Sequence, residues 1–566
     1  MTRRLVIFRL VLAAAFALIL LRLLSLQVLH GAENRRFAEE NRLRVVPRAA
    51  PRGVIYDRRG RVLATSRLAF SVRVVPEELG VVGAEDPAAA LAGLLDLPRE
   101  QVARLLAHPR GKHAEVVVLP RASEEVVARL AERAPYLTGV AVTAEAVRDY
   151  PNGALAGHVL GYVRQISAEE LTQAEAGEQS AGEVVGKEGV ERSANAVLRG
   201  QDGGEQIEVE ATGRRVRTLG AVAPQPGQAL RLTLDLEVQR SAEAALAGRA
   251  GAVVAMDPET GEVLALASQP AYDPNLFAGP VSREEWQRLS GPERPQQNRA
   301  ISARYAPGSV FKIITAAAAL EAGACDERST FYCGGRLLLG GWTLRCWKRE
   351  GHGAVDYLRG FAQSCNVMFA TLGRRVGPEA LAQMAARFGL GEETRIDLLG
   401  EVRGTVPTPR WKRQVKRLPW YPGDTCQMAI GQGDVLVTPV QVARAVAVVA
   451  NGGYLVRPHV IAGESRERKR VELKPATLAA LRAGLEAVAA EGGTAASIAN
   501  PYYRVAGKTG TAEAPSGAPH AWFAGYAPAE APKVVVAVVL EHGGHGGEAA
   551  APVAKQVFDA ALRPSR

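Results

Sequence analysis

Apolar residues along this chain fall into three regimes. The first is a near-continuous run at the N-terminus. Leu10 to Leu21 carries no charge, and Arg9 and Arg22 close it on either side within the wider stretch Leu5 to Leu29. The uncharged run is shorter than the ~20 residues that span a bilayer core. Snorkelling arginines extend such a span. Ala13-Ala-Ala15 and Ala15-Phe-Ala17 mimic a signal-peptidase site but lie inside the run, so residues 1–30 are predicted to form an uncleaved anchor. Arg3 and Arg4 ahead of it predict a cytoplasmic N-terminus and an extracytoplasmic bulk. Arg22, at lipid depth, calls for a partner, which a second membrane protein would supply.

The second regime, residues 31–227, is mixed. Arg52-Gly-Val-Ile-Tyr-Asp-Arg-Arg-Gly60 and the following Arg61-Val-Leu-Ala64 read as two short strands around an Asp-Arg-Arg-Gly turn. Helical stretches at Pro87 to Leu95 and Ser123 to Arg133 alternate with β runs such as Glu115 to Leu119, which predicts a small α+β pedestal. Gln206 to Thr218 alternates as one strand, and Pro224-Gln-Pro-Gly227 is a hinge signal.

The third regime, residues 228–566, is richer in long apolar runs. Leu230 to Leu234 reads as a strand and Glu237 to Ala247 as a helix. Gly251 to Ala267 is a hairpin around Asp257-Pro-Glu-Thr-Gly261. Thr438-Pro439 opens a long Val/Ala helix, Pro532 to Glu541 is a central strand, and Ala550 to Leu562 a closing helix. Gly404 to Asp424 reads as a basic and aromatic loop. It suits a glycan strand, lipid headgroups or plain solvent. The expected fold class is α/β (α+β): an antiparallel sheet flanked by helices, a smaller α+β pedestal and one transmembrane helix.

Composition adds little. At 566 residues, 23% charged and 47% hydrophobic, the chain is ordinary globular material rather than disorder. The net charge of +10 is spread along the chain with no zinc-finger or RNA-module signature, so it predicts a basic surface beside a membrane and no nucleic acid. The five cysteines all lie in residues 325–426, and their odd number argues against a pure disulfide scaffold.

Chemistry concentrates in three short motifs. Tyr305-Ala-Pro-Gly-Ser-Val-Phe-Lys312 holds Ser309 and Lys312 three residues apart, at a helix start signalled by Pro307-Gly308. A serine hydroxyl needs a base, and a buried lysine of lowered pKa is one. A Ser-x-x-Lys alone would arise by chance roughly once in a chain this long. Two further motifs follow in order. Ser364-Cys365-Asn366 offers a second hydroxyl and a carboxamide. Lys508-Thr509-Gly510-Thr511 puts a cation and hydroxyls on a predicted strand, where a substrate carboxylate would be held. Gly510 would let that strand's backbone approach a ligand closely.

This triplet is the signature of penicillin-binding proteins and class A β-lactamases. Over nearly its whole length the chain resembles the class B, monofunctional penicillin-binding proteins, most of all the elongation-type group known as penicillin-binding protein 2. The resemblance implies the penicillin-binding transpeptidase fold on residues 228–566 and the non-catalytic, dimerisation-like pedestal on 31–227. It implies that Ser309 attacks the carbonyl between two D-alanines of a peptidoglycan stem peptide and forms an acyl-enzyme. Lys312 takes the proton, Ser364 relays one to the leaving amine with Lys508, and Asn366 positions Lys312 or the substrate amide. Thr509, Gly510 and Thr511 border the substrate carboxylate, and the N–H groups of Ser309 and Thr511 form the oxyanion hole. A second amine completes the cross-link, β-lactams acylate Ser309, and carboxypeptidase action is a side outlet. The family's partner is a RodA-type multi-pass glycan polymerase in the inner membrane. Cys365 inside Ser-x-Asn is a mild departure. Two other readings stand beside this one: a division-type transpeptidase or β-lactam hydrolase, and a catalytically idle scaffold that activates the polymerase.

Between the first two motifs lie Cys333, Cys346, His352 and Cys365, at intervals of 12, 5 and 12 residues. They suggest a tetrahedral Cys3His zinc site. A Cys333–Cys346 disulfide and four singly packed side chains are the alternatives. Gly334-Gly335 and Gly340-Gly341 predict a compact hairpin that brings Cys333 and Cys346 together. Elongation-type relatives bind a metal here through aspartate, histidine and cysteine. The resemblance therefore implies that Cys333 and Cys346 replace aspartates, which favours structural zinc. No organic cofactor is expected.

Overall fold

The computed structural model describes residues 2–30, 43–107, 115–173, 183–209, 215–279, 281–463 and 467–563. Thr2–Leu24 is an α-helix continued by a π-helical turn, Ser25–Leu29. Leu5–Leu29 is long and apolar enough to cross a membrane, and none of the span is buried in the protein. Between Arg9 and Arg22 the helix is apolar on every face, the pattern of a helix that lipid would surround.

The remainder forms two compact units. The first comprises residues 1–53, 66–147 and 199–228. It contains a three-stranded antiparallel sheet in the order Leu43–Arg48, Gly203–Val209, Arg215–Val222. The single strand expected over Gln206 to Thr218 is thus two strands pairing with each other. Alternation persists on both sides of a reversal, so a period-2 pattern does not reveal where the chain turns back. Beside it, helices Pro87–Leu95 and Glu124–Arg133 are N-capped by Asp86 and Ser123. They pack with Val72, Val74 and Val118 around Leu91, Leu95 and Leu130.

The second unit comprises residues 54–65, 148–198 and 229–566. The linear division at 227/228 is therefore crossed twice. Asp57, fully buried, shows why the first crossing holds. It accepts hydrogen bonds from the N–H groups of Arg59 (2.9 Å), Arg61 (2.8 Å) and Leu236 (3.2 Å), and from Arg61 Nε (2.8 Å). One carboxylate ties the Asp-Arg-Arg-Gly turn to the start of helix Leu236–Leu246. In the second crossing, Arg148 and Glu191 form a buried ion pair at 2.6 Å.

The catalytic elements, in chain order, are strands β1 (Gly251–Met256) and β2 (Val263–Gln269), and helix α1 (Lys312–Glu321). Next come the hairpin strands β3 (Arg336–Leu339) and β4 (Trp342–Arg345), and helices α2 (Asn366–Arg387) and α3 (Pro439–Ala450). Last are β5 (Ala506–Ala512), β6 (His520–Ala527), β7 (Val534–Leu540) and helix α4 (Gly546–Ala561). The sheet runs β2-β1-β7-β6-β5, antiparallel throughout, with β7 at its centre and β5 at one edge. Every residue of β7 is buried, as a strand covered on both faces requires. Both α3, apolar and buried all round, and α4 pack on β6 and β7. Two expectations shift. Leu230 to Leu234 shrinks to a two-residue strand, Leu230–Arg231, and the loop at 404–424 contains helical turns at Pro409–Trp411 and Lys412–Lys416. Lys412 is buried there, 2.5 Å from Asp424 and against the rings of Trp420 and Tyr421.

Candidate active site

The site starts with a turn that only glycine fits. Gly308 has φ +53°, and a Cβ on it would meet the Thr511 carbonyl oxygen at 2.7 Å. Gly308 N–H donates to the Gly431 carbonyl at 2.8 Å, and Trp522 Nε1 donates to the Ala306 carbonyl at 2.9 Å. Gly308–Phe311 is a 3-10 turn, and α1 begins at Lys312. The Lys312 N–H donates to the Ser309 carbonyl, which closes the turn between the two residues.

Lys312 is fully buried. Its ammonium donates to the Ser364 carbonyl (2.9 Å), Ser364 Oγ (3.1 Å) and Asn366 Oδ1 (2.6 Å), which uses all three of its protons. Burial pulls its pKa down to about 8, against a smaller opposing pull from Cys346 and Cys365. Ser364 holds the left-handed conformation, φ +54°, which is uncommon for a residue with a Cβ and costs roughly 1–2 kcal/mol. The turn delivers both its carbonyl and its hydroxyl to one amine. Asn366 Nδ2 donates to the Arg345 carbonyl at 3.3 Å, which fixes the amide with its oxygen towards Lys312.

Edge strand β5 supplies the third wall. A Cβ on Gly510 would meet the Pro307 carbonyl and Trp522 Cβ, each at 2.9 Å, so the strand touches the turn ahead of Ser309. Lys508 is fully buried. Burial, then the charge of Lys312, holds its pKa well below the lysine range. Thr509 Oγ1 shares a hydrogen bond with Thr494 Oγ1 at 2.6 Å. Thr511 accepts from Gln432 Nε2 at its carbonyl (3.1 Å) and from Gly546 N–H at Oγ1 (3.4 Å). Two buried lysines thus lie close enough for the charge of Lys312 to act on Lys508, with the Ser364 hydroxyl on the Lys312 amine.

Cys333, Cys346, His352 and Cys365 also come together, all buried, with their ligand atoms within 4.8 Å of one another. The β3–β4 hairpin, turning at Gly340-Gly341, carries Cys333 and Cys346 to its open end. Cys365 caps α2, its sulfur accepting from Met368 N–H at 3.4 Å. Cys346 Sγ lies 3.5 Å from His352 Nδ1. A hydrogen bond from Cys365, assisted by the N–H groups of Asn366 and Val367 at the start of α2, draws the Cys346 thiol down to about 4. The same contact pushes Cys365 up. His352 Nε2 is buried with no hydrogen-bond partner among the described residues. All five cysteines are buried and unbonded, Cys333 and Cys346 among them.

Two family descriptions match: "Penicillin binding protein transpeptidase domain" over residues 251–559 and "Penicillin-binding Protein dimerisation domain" over 47–232. The chain belongs to the penicillin-binding proteins. It is similar to the peptidoglycan D,D-transpeptidase MrdA of Acinetobacter baumannii, 33% identical over 94% of this chain and 84% of that one. It is also similar to the penicillin-binding protein PBP2 solved in complex with MreC from Helicobacter pylori. That likeness has TM-score 0.79 and 30% identity, covering 91% of this chain and 98% of the other. A chain from a structure described as "Structural coordination of polymerization and crosslinking by a peptidoglycan synthase complex" matches at TM-score 0.74 and 33% identity, covering 100% of this chain and 99% of its own. This likeness over nearly full length places the chain in the class B, elongation-type group, and its N-terminal apolar helix makes it a membrane-anchored protein.

In this penicillin-binding protein Lys312, Ser364 and Asn366 meet directly, Lys508 lies within reach of the Lys312 charge, and Cys333, Cys346, His352 and Cys365 form a second cluster. Sequence reading missed Thr494, Gln432 and the Arg345 carbonyl. Gln432 had a trace, since it sits in the glycine-rich stretch Met428 to Gly433. Thr494 and the Arg345 carbonyl left none, because a backbone acceptor and a lone threonine carry no pattern.

Proposed function

We propose that this chain is a peptidoglycan D,D-transpeptidase that cross-links stem peptides through a Ser309 acyl-enzyme during cell elongation, and that β-lactams acylate the same serine. The observation that carries the assignment is the buried Lys312 amine, held at once to Ser364 and Asn366 one helical turn from Ser309. A neutral amine keeps two N–H donors and gains a lone pair, so losing one proton frees Lys312 to accept from Ser309 Oγ–H. The nucleophile then adds to the peptide carbonyl, and the N–H groups of Ser309 and Thr511 receive the oxyanion. The C–N bond breaks, and the departing D-alanine amine takes its proton from Lys312 through Ser364. The amine of a second stem adds to the ester, gives its proton back along the same route, and Ser309 leaves as the free hydroxyl. Lys508, Thr509 and Gly510 border the substrate carboxylate. Mass spectrometry after fluorescent penicillin should find the label on Ser309, and Ser309→Ala should abolish both label and cross-linking. A covalent adduct on the alanine variant would refute the assignment.

Cys333, Cys346, His352 and Cys365 fit a structural zinc. The ideal edges of a zinc tetrahedron are about 3.6–3.8 Å for sulfur and nitrogen ligands. The 3.5 Å Cys346–His352 separation fits such an edge, and the 4.8 Å limit on the rest is within a small contraction of it. The Cys346 thiol, its pKa drawn down by the hydrogen bond from Cys365, suits a cation as well. Four protein ligands leave no open position, so the ion would cross-link the segment that carries Ser364 and Asn366 rather than take part in the reaction.

The anchor would lie in the inner membrane with its N-terminus cytoplasmic. A RodA-type glycan polymerase is the fitting partner, because neither unit carries a glycan-polymerising motif and Arg22 sits at a costly depth.

A further inference from the structure

The β3–β4 hairpin borders the catalytic pocket at two points. The Arg345 carbonyl accepts from Asn366 Nδ2 at 3.3 Å, and Trp347 Nε1 donates to the Gln363 carbonyl at 2.9 Å. Ser364 is thus flanked on both sides by groups tied to this hairpin. Leu337 and Leu344 pair across the strands, Leu344 buried, so the opposite face of the ribbon points outward. On that outward face Arg336 stands directly opposite Arg345, both exposed.

Like charges directly opposite across a strand pair are destabilising. Residues 336–350 hold Arg336, Arg345, Lys348 and Arg349 against a single acid, Glu350. Arg349 comes close to the hairpin's base, since a Cβ on Gly335 would meet its carbonyl oxygen at 2.1 Å. Among the described residues none of these four cations has an acidic partner. Two arginines paired across the strands on one exposed face offer their guanidinium groups to a carboxylate.

We propose that Arg336 and Arg345 hold a carboxylate of the second stem peptide, the one whose amine attacks the acyl-enzyme. The inference rests on the transpeptidase reading and deepens it. The attacking amine must reach the acyl carbonyl beside Ser364 and Lys312, and the hairpin is the cationic surface adjoining that side. The first stem's terminal carboxylate is accounted for at the Lys508 strand, so an anion here belongs to the other peptide. Stem peptides carry carboxylates and the hairpin carries unpaired cations, so the charges complement each other.

The test uses the full-length chain in neutral detergent, with a soluble disaccharide stem peptide as acceptor, its carboxylates free or amidated. Penicillin acylation is measured in parallel. For Arg336→Gln the acylation rate should stay within about twofold of wild type, while the apparent acceptor KM rises about fivefold. Arg336→Glu should be worse and Arg336→Lys largely restored. Amidating the acceptor should raise KM for wild type by clearly more than for Arg336→Gln, which keeps only Arg345. Equal losses with free and amidated acceptors would overturn the inference, as would an unchanged acceptor KM in a wild-type enzyme that cross-links normally. An effect seen only in anionic bilayers would assign the pair to lipid headgroups and overturn it too. A wild-type chain that acylates but never cross-links would instead count against the transpeptidase reading.

Discussion

Lys312 is where chemistry and burial meet most directly. Its folded pKa of about 8 lies below the ordinary lysine value because a buried ammonium loses its hydration. The base is active only when neutral, so penicillin acylation should climb about tenfold per pH unit below 8 and flatten above it. Stopped-flow acylation rates across pH 6–10 would check this, and a rate independent of pH through that range would exclude Lys312 as the base. The linkage to stability has the same direction. Between about 8 and 10.5 the unfolded chain holds a proton on this lysine that the folded chain lacks, so its contribution to stability rises with pH across that window. The residue types were legible in the sequence, as Ser-x-x-Lys, Ser-x-Asn and Lys-Thr-Gly. Their orientation was not. The left-handed Ser364 and the Asn366 amide pinned by a carbonyl depend on backbone geometry that no spacing encodes.

At the scale of elements, the turn before Ser309 and the cysteine segment each make a claim. Gly308→Ala would place a methyl group 2.7 Å from the Thr511 carbonyl at φ +53°, forcing the turn and β5 apart. A displacement of about 1 Å at a reacting atom can cost about a hundredfold. Penicillin acylation should fall by that order while the far-ultraviolet circular dichroism stays unchanged, and near-normal acylation would show that the turn tolerates the shift. For the cysteine segment, metal analysis of gently purified protein should give about one zinc per chain. Cys365→Ser and His352→Ala should each lower the melting temperature on the order of 5 °C and slow acylation together. Metal-free protein with unaltered stability would remove zinc from the account. The Gly340-Gly341 hairpin was readable because turns have local signatures. The reversal inside Gln206 to Thr218 was not, since alternation looks the same in either direction.

At the scale of the whole molecule, the chain combines an anchor, a small α+β unit and a catalytic unit that recruits residues 54–65 and 148–198 from earlier in the sequence. That recruitment is invisible to a linear reading because it depends on a buried carboxylate meeting a helix start 179 residues away. An apolar run, a hinge and a long Val/Ala core are legible in a linear reading because they are properties of composition. The anchor carries its own prediction. Exchanging Leu5–Leu29 for an unrelated transmembrane helix should leave penicillin binding intact and reduce activation of the polymerase in a reconstituted pair by about fivefold, if Arg22 meets its partner there. Polymerisation that is indifferent to the exchange would move the contact out of the bilayer.

Two buried lysines also set a rule for ligand capture. Burial lowers the proton affinity of both Lys312 and Lys508, and the charge of Lys312 lowers that of Lys508 further, so the resting site is short of positive charge. An anionic peptide or drug arriving beside Lys508 makes that second charge tolerable, so capture should draw a proton from solvent. Titration calorimetry of the Ser309→Ala chain in buffers of unequal ionisation heat would read the uptake directly. Capture then favours acid and bond-making favours alkali, and turnover should peak at a pH set by the balance of the two.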